Sequence, residues 1–143
     1  LYYIKNKLQF FKNAYHWLKP GGYLIIHLVN KHKFDPIIPA GDPLIMLSAQ
    51  KYSKKRITDT VVKFDQFKYK ANFNLKNDNK AIFDEKFVFP DGNVRQNHHV
   101  LHMDDQSKVL GLAKDMGFIL QAKIDLTKCM YEKQYLYVLQ KPN

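Results

Sequence analysis

The 143 residues suffice for one domain with a sizeable core, and a hydrophobic fraction of 45% beside a charged fraction of 25% is ordinary for a globular protein. No run of 18 apolar residues suggests a transmembrane helix, the start LYYIKNKLQFF lacks the pattern of a signal peptide, and the lone Cys129 excludes an internal disulfide and a cysteine-rich zinc site; a cytoplasmic protein is expected. The formal net charge of +10 favours anionic partners, yet the 23 basic residues are spread along the chain and only two are arginine, so nucleic acid is not the expected partner.

In chain order, Ile4, Leu8, Phe11, Tyr15 and Leu18 form one apolar stripe and predict an amphipathic helix. Lys5, Lys7, Lys12 and His16 fall mostly off it. Pro20 should stop the helix near Lys19, and Gly21 or Gly22 can supply the positive φ of a reversing chain. Tyr23 to Val29 is aliphatic without alternation, which predicts a central strand of a parallel sheet, buried on both faces. His27 within it reads as a core histidine. From Lys31 to Ser53 the pattern dissolves into a long connection with Pro36, Pro39, Gly41 and Pro43.

Period two then takes over. Phe67, Tyr69, Ala71, Phe73 and Leu75 alternate with polar residues, while Val62 and Phe64 sit on the other parity, so a bulge near Asp65–Gln66 is expected. Strands over Ile82–Phe89 and Val94–Met103 flank a turn at Pro90-Asp91-Gly92-Asn93. Asp104 or Asp105 should cap a helix that stops at Gly117, followed by strands over Phe118–Leu126 and Tyr135–Leu139. The organisation expected is one domain over 1–143 with an antiparallel insertion over 57–103.

The histidines at 98, 99 and 102 suggest metal, but His98 and His99 point to opposite faces of a strand and no metal site is expected. The hairpin register sets Glu85 opposite either His98 or His99, depending on loop length. Arg95, His99 and Glu85 can bond one another or a substrate anion. Asn30, at a strand end, can orient a substrate or bond the local backbone.

The ordered set LKPGGYLIIHLVN, KDMGF and YLYVLQK resembles the C-terminal half of a class I S-adenosylmethionine-dependent methyltransferase. Phe83-x-Glu85, then Gly92-x-Val94-Arg95-x-Asn97-x-His99-x-Leu101, is similar to an insertion that several small-molecule methyltransferases carry. The resemblance implies an α/β fold, the C-terminal part of a Rossmann-like sheet, whose seventh strand runs antiparallel to its neighbours. It implies S-adenosylmethionine as methyl donor, a small-molecule acceptor, and Tyr2, Tyr3, Arg95 and His99 as substrate-binding residues, beside Asn30 from its place at the strand end. The sequence departs from the pattern in having no G-x-G and only six glycines, so a close backbone cradle for the donor is absent. Leu1-Tyr2-Tyr3 resembles the point just after the family's fourth strand. The chain therefore reads as a fragment, inactive alone, whose bared strand edge would pair with a second copy or with the missing N-terminal half. The alternative is a basic α/β module that binds nucleic acid or protein through Lys68, Lys70 and Lys76.

Overall fold

The structure, a computed structural model, describes residues 1–37 and 49–143; the expected irregular stretch around Pro39, Gly41 and Pro43 lies outside the described residues. Its elements are helices α1 (Lys7–Trp17) and α2 (Gln106–Asp115) and strands β1 (Tyr23–Val29), β2 (Asp59–Lys63), β3 (Lys68–Leu75), β4 (Lys80–Val88), β5 (Val94–His102), β6 (Ile119–Asp125) and β7 (Gln134–Gln140). They fall into two compact units, one of Leu1–Phe34 with His102–Asn143 and one of Asp35–Leu101.

In the first unit α1 begins later than its apolar stripe suggests. Asn6 ends the preceding turn and its Oδ1 accepts the Gln9 N–H at 3.0 Å, a side-chain cap that sets the start. The buried positions are Lys7, Phe11 and Ala14, whereas Leu8 of the expected stripe is 47% exposed. A lysine takes the inward position because three oxygens meet it there, as described below. The helix ends as Pro20 requires. The Gly22 N–H donates to the Lys19 carbonyl at 2.9 Å, and Gly21, one place before it, has φ +76°. Proline second and positive φ third is the pattern of a type II turn. Lys141 Nζ donates to the carbonyls of Tyr15 and Leu18, each at 2.8 Å, and so satisfies the open end of α1. Helix α2 stops at Gly117, φ +95°, where a side chain would press on the Tyr15 ring.

Strands β1, β7 and β6 lie side by side in that order, with β7 antiparallel to both. Both helices pack on one face of this sheet. Phe11 and Ala14 of α1 and Val109 and Ala113 of α2 meet Ile26, Leu28, Phe118, Tyr137 and Leu139 in one buried cluster. Fully buried side chains such as Phe11 and Leu28 contribute about 1.5–3 kcal/mol each.

The expectation that β1 is a central parallel strand, buried on both faces, is corrected. Among the described residues it is an edge strand, paired only with β7, and its burial alternates from Tyr23 to Leu28 before the buried Val29. Leu24, Ile26 and Leu28 face the helices, while Tyr23, Ile25 and His27 face outward and are exposed. His27 is thus no core histidine. Partial desolvation pulls its pKa down, against a hydrogen bond with Gln134 that raises it. The centre of the outward face is apolar: Ile25 pairs with Val138, which pairs with Ala122, and Leu136, opposite His27, pairs with Ile124.

The backbone of β1 is likewise half used. The Asn30 N–H donates to Lys133 at 2.8 Å, so in an antiparallel ladder the even residues 24, 26 and 28 bond β7 and the odd ones point away. The free edge therefore carries the N–H and C=O groups of Tyr23, Ile25 and His27.

The second unit is an antiparallel meander of β2, β3, β4 and β5. The expected bulge at Asp65–Gln66 is instead a reversal between two strands. The Phe64 N–H donates to the Phe67 carbonyl at 2.9 Å, and Val62 lies opposite Tyr69. A change of parity along the sequence is the same observation in both cases, and only the pairing separates a bulge from a turn. At the β4–β5 hairpin the Phe89 N–H donates to the Asn93 carbonyl at 2.9 Å, with Gly92 at φ +87°. The alternation in β3 holds as expected: Tyr69, Ala71 and Phe73 are buried.

Candidate functional site

The period of two along β5 puts Arg95, Asn97 and His99 on one face of the meander and His98 on the other. The contacts follow that division. His98 Nδ1 meets Asp84 Oδ1 at 2.6 Å, while His99 Nε2 meets Glu85 Oε2 at 3.1 Å. Glu85, from β4, is the hub. Its Oε1 accepts the Tyr69 hydroxyl at 2.7 Å and its Oε2 also accepts from Asn97 Nδ2 at 3.2 Å.

Burial by itself would raise the Glu85 pKa, but the bonds from Tyr69, Asn97 and His99 outweigh it and hold the carboxyl below its ordinary value. Tyr69 is pushed far up, by burial first and then by the adjacent carboxylate. The two shifts agree on one state, an ionised Glu85 beside a protonated phenol. Aromatic rings frame the cluster. The His99 ring stacks on Phe83 with centroids 5.8 Å apart, and the Arg95 guanidinium lies 5.8 Å from the Phe87 centroid. Arg95 Nε donates to Asn97 Oδ1 at 3.4 Å. Of the sequence-expected residues, Arg95 and His99 are therefore brought together, with Glu85 linking them through Asn97.

Tyr2, Tyr3 and Asn30 belong to the other unit, at the carboxyl end of β1. The Tyr2 hydroxyl accepts the Val29 N–H at 2.8 Å and lies 3.5 Å from the Val29 carbonyl, so it closes the free edge of β1 at that end. Burial raises its pKa to about 12, against the backbone bond that lowers it. Tyr3 is exposed. Asn30 Oδ1 accepts the His32 N–H at 3.2 Å, the local backbone bond that a strand-ending asparagine makes.

Two buried lysines at the same end escaped the sequence reading. Lys7 is 2% exposed; its Nζ pairs with Asp104 at 3.0 Å and donates to the carbonyls of Ile4 and His102 at 3.1 and 2.8 Å. Lys31, 6% exposed, pairs with Asp105 at 2.9 Å. The doublet Asp104-Asp105 was the available signal, although it read as a helix cap. Asp105 does hold the N-cap position of α2, but its side chain makes no cap bond. Among the described residues no group of three or more His, Cys, Asp or Glu side chains could hold a metal ion.

No family model and no curated protein matches the sequence. Solved structures do match. A S-adenosylmethionine-dependent methyltransferase from Clostridium acetobutylicum superposes with a TM-score of 0.69 at 14% identity, over 99% of this chain and 54% of its own. The fold is half of a methyltransferase fold. The CcbJ methyltransferase from Streptomyces caelestis matches with a TM-score of 0.65 at 12% identity, over 95% of this chain and 50% of its own. CalS10, an amino pentose methyltransferase from Micromonospora echinaspora, matches with a TM-score of 0.52 at 13% identity, over 92% and 48%. The chain thus spans about half the length of the methyltransferases it matches, with the Rossmann-like α/β class and the antiparallel strand order that the resemblance implies.

The described residues include five of the six glycines. Their glycines stand in the turn after α1, at the β4–β5 hairpin, within α2 and just after it, and a side chain at Gly22 would strike Lys19 of its own turn. None lies in a glycine-rich turn that follows a strand, which is where a close approach to S-adenosylmethionine would be made.

Proposed function

We propose that this chain is the acceptor-side half of an S-adenosylmethionine-dependent methyltransferase acting on a small molecule, and that it transfers no methyl group by itself. The observation that carries the reading is the match of nearly the whole chain to one half of methyltransferases that are otherwise unlike it in sequence. Methyl transfer depends chiefly on alignment and desolvation, so a catalytic triad or metal is not needed on the acceptor side. The residues offered for the acceptor are Arg95 and His99, with Glu85 holding His99 in place, and Tyr2, Tyr3 and Asn30 at the end of β1. The donor would be held by the other half, with which β1 pairs along its free edge.

The test is calorimetric titration of S-adenosylmethionine into two proteins, the 143-residue chain and the product of the whole reading frame around it. Binding to the longer product alone supports the proposal. Micromolar binding to the 143-residue chain, or none to either protein, overturns it.

One observation favours a second reading, a binding module without catalysis. Lys63 lies opposite Lys68 and Lys70 opposite Lys86 on the outer face of the meander, like charges that an anionic partner would relieve. Affinity for single-stranded nucleic acid that falls steeply with salt would select it.

A further inference from the structure

The hydrogen bonds of the meander leave one charge out of account. Both acids of β4 on this stretch are engaged by histidines, Asp84 by His98 and Glu85 by His99, and Glu85 is also taken by Tyr69 and Asn97. The Glu85–Arg95 ion pair that the sequence allowed does not form. Among the described residues no carboxylate pairs with Arg95. Its guanidinium is nonetheless held at two points, over the Phe87 ring and by Nε on the Asn97 oxygen, and Asn97 is itself fixed by Glu85. That arrangement sets the guanidinium beside one ring, uses one N–H, and leaves the two terminal nitrogens on an exposed residue. A planar fork whose orientation is set in advance is the geometry that binds a carboxylate or phosphate through two parallel bonds. The rings next to it are continuous: Phe67 lies 5.5 Å from Phe87 and 5.8 Å from Phe89, centroid to centroid.

We infer that Arg95 is a receptor for an oxyanion, a carboxylate or phosphate monoester on an aromatic or apolar carrier. This deepens the proposed function, on which it rests for the claim that the ligand is the methyl acceptor: the acceptor is an anion, and its anionic group sits two strand positions from Asn97 and four from His99. At about 3.3 Å per residue the anion and a group at His99 would stand about 13 Å apart. A ligand spanning them would carry its nucleophile at the end remote from its charge.

The test uses the 143-residue chain and requires no methyl donor. Its two arginines, Arg56 and Arg95, give two side-chain Nε–H signals that can be followed by NMR. Sodium benzoate, phenyl phosphate and neutral benzamide are titrated separately. The expected result is a saturable shift of the Arg95 signal with benzoate or phenyl phosphate, no matching shift at Arg56, and no saturable response to benzamide. Benzoate alone or phenyl phosphate alone would name the anion. Arg95→Ala should abolish saturable binding, read on the Asn97 side-chain amide, and Arg95→Lys should weaken it by about tenfold, since a lysine offers no fork. Both variants are checked for an unchanged Arg56 signal, which reports that the meander is folded. Parallel, non-saturating shifts of both arginines, or undiminished binding by a folded Arg95→Ala, would overturn the inference. A saturable site in a protein whose full-length form binds no S-adenosylmethionine would leave the oxyanion receptor standing and remove the methyltransferase reading.

Discussion

The two sheets differ in what their second faces are made of. The meander is two-sided in composition: Tyr69, Ala71 and Phe73 are buried on one face and Lys68, Lys70 and Asn72 lie on the other. The β1-β7-β6 sheet is two-sided in burial only. Its outward face repeats the apolar residues of its inward one, with Ile25 60% and Ile124 47% exposed. A sheet that normally meets water on one side has polar residues there. Apolar residues on both sides mean that the composition of β1 suits a cover that these residues do not supply, and that the meander needs none on its basic face.

The largest expected effect breaks the inward face. Phe11→Ala or Leu28→Ala, both at fully buried positions, should cost about 3–5 kcal/mol, enough to unfold the helix-bearing unit, read by urea denaturation. Next comes Lys7→Met. It strands the carbonyls of Ile4 and His102 and leaves Asp104 to the exposed Lys108 alone, at an expected cost of about 3 kcal/mol. A loss under about 0.5 kcal/mol would show that the pair is no better than a surface one.

A smaller effect concerns Glu85. Its pKa is lower folded than unfolded, so the unfolded chain binds more protons through the acid range and the stabilisation is complete only above the unfolded value. It is lost as pH falls through the folded value. Glu85→Gln should therefore be less stable than the wild type near neutrality, and the gap should close on acidification. A gap that stays constant with pH would mean that the carboxylate's charge contributes nothing.

The smallest effect is the sharpest for the comparison. In the isolated, monomeric chain Ile25→Ala should change stability by less than about 0.5 kcal/mol, although Leu28 three positions on is critical. Amide exchange should be fast at Tyr23, Ile25 and His27 and slow at Leu24, Ile26 and Leu28. Protection of all six would show a strand already paired to the free edge, by a second copy if the mass is doubled.

Much of this was legible in the residues themselves. Pro20-Gly21-Gly22 specifies its turn because proline and positive φ are properties of single positions, and the same holds for Gly92 and Gly117. The alternation of β3 specified a half-buried strand because the pleat has a period of two. The reversal at Asp65–Gln66 was missed since Asp65 is the one turn-favouring residue there, with no Gly, Pro or Asn beside it. His27 was misplaced because an apolar run shows no parity until one face is packed. In the cluster, the separation of His98 from His99 was readable, but not the choice among Asn97, His99 and Arg95 as partners of Glu85.

What the sequence determined alone, then, was local: where the chain turns, which stretches have helical or strand period, and the order of elements that resembles a methyltransferase half. Tertiary structure decided the pairings. Lys7 is buried because His102, 95 positions away, brings a carbonyl to it with Asp104 alongside; β1 lies at an edge of its sheet because β7 covers one side only; Arg95 has no carboxylate partner among the described residues, and Glu85 is taken by Tyr69, Asn97 and His99. Each is a contest between partners distant in sequence, settled by which atoms come within hydrogen-bonding distance, and no local pattern records that outcome.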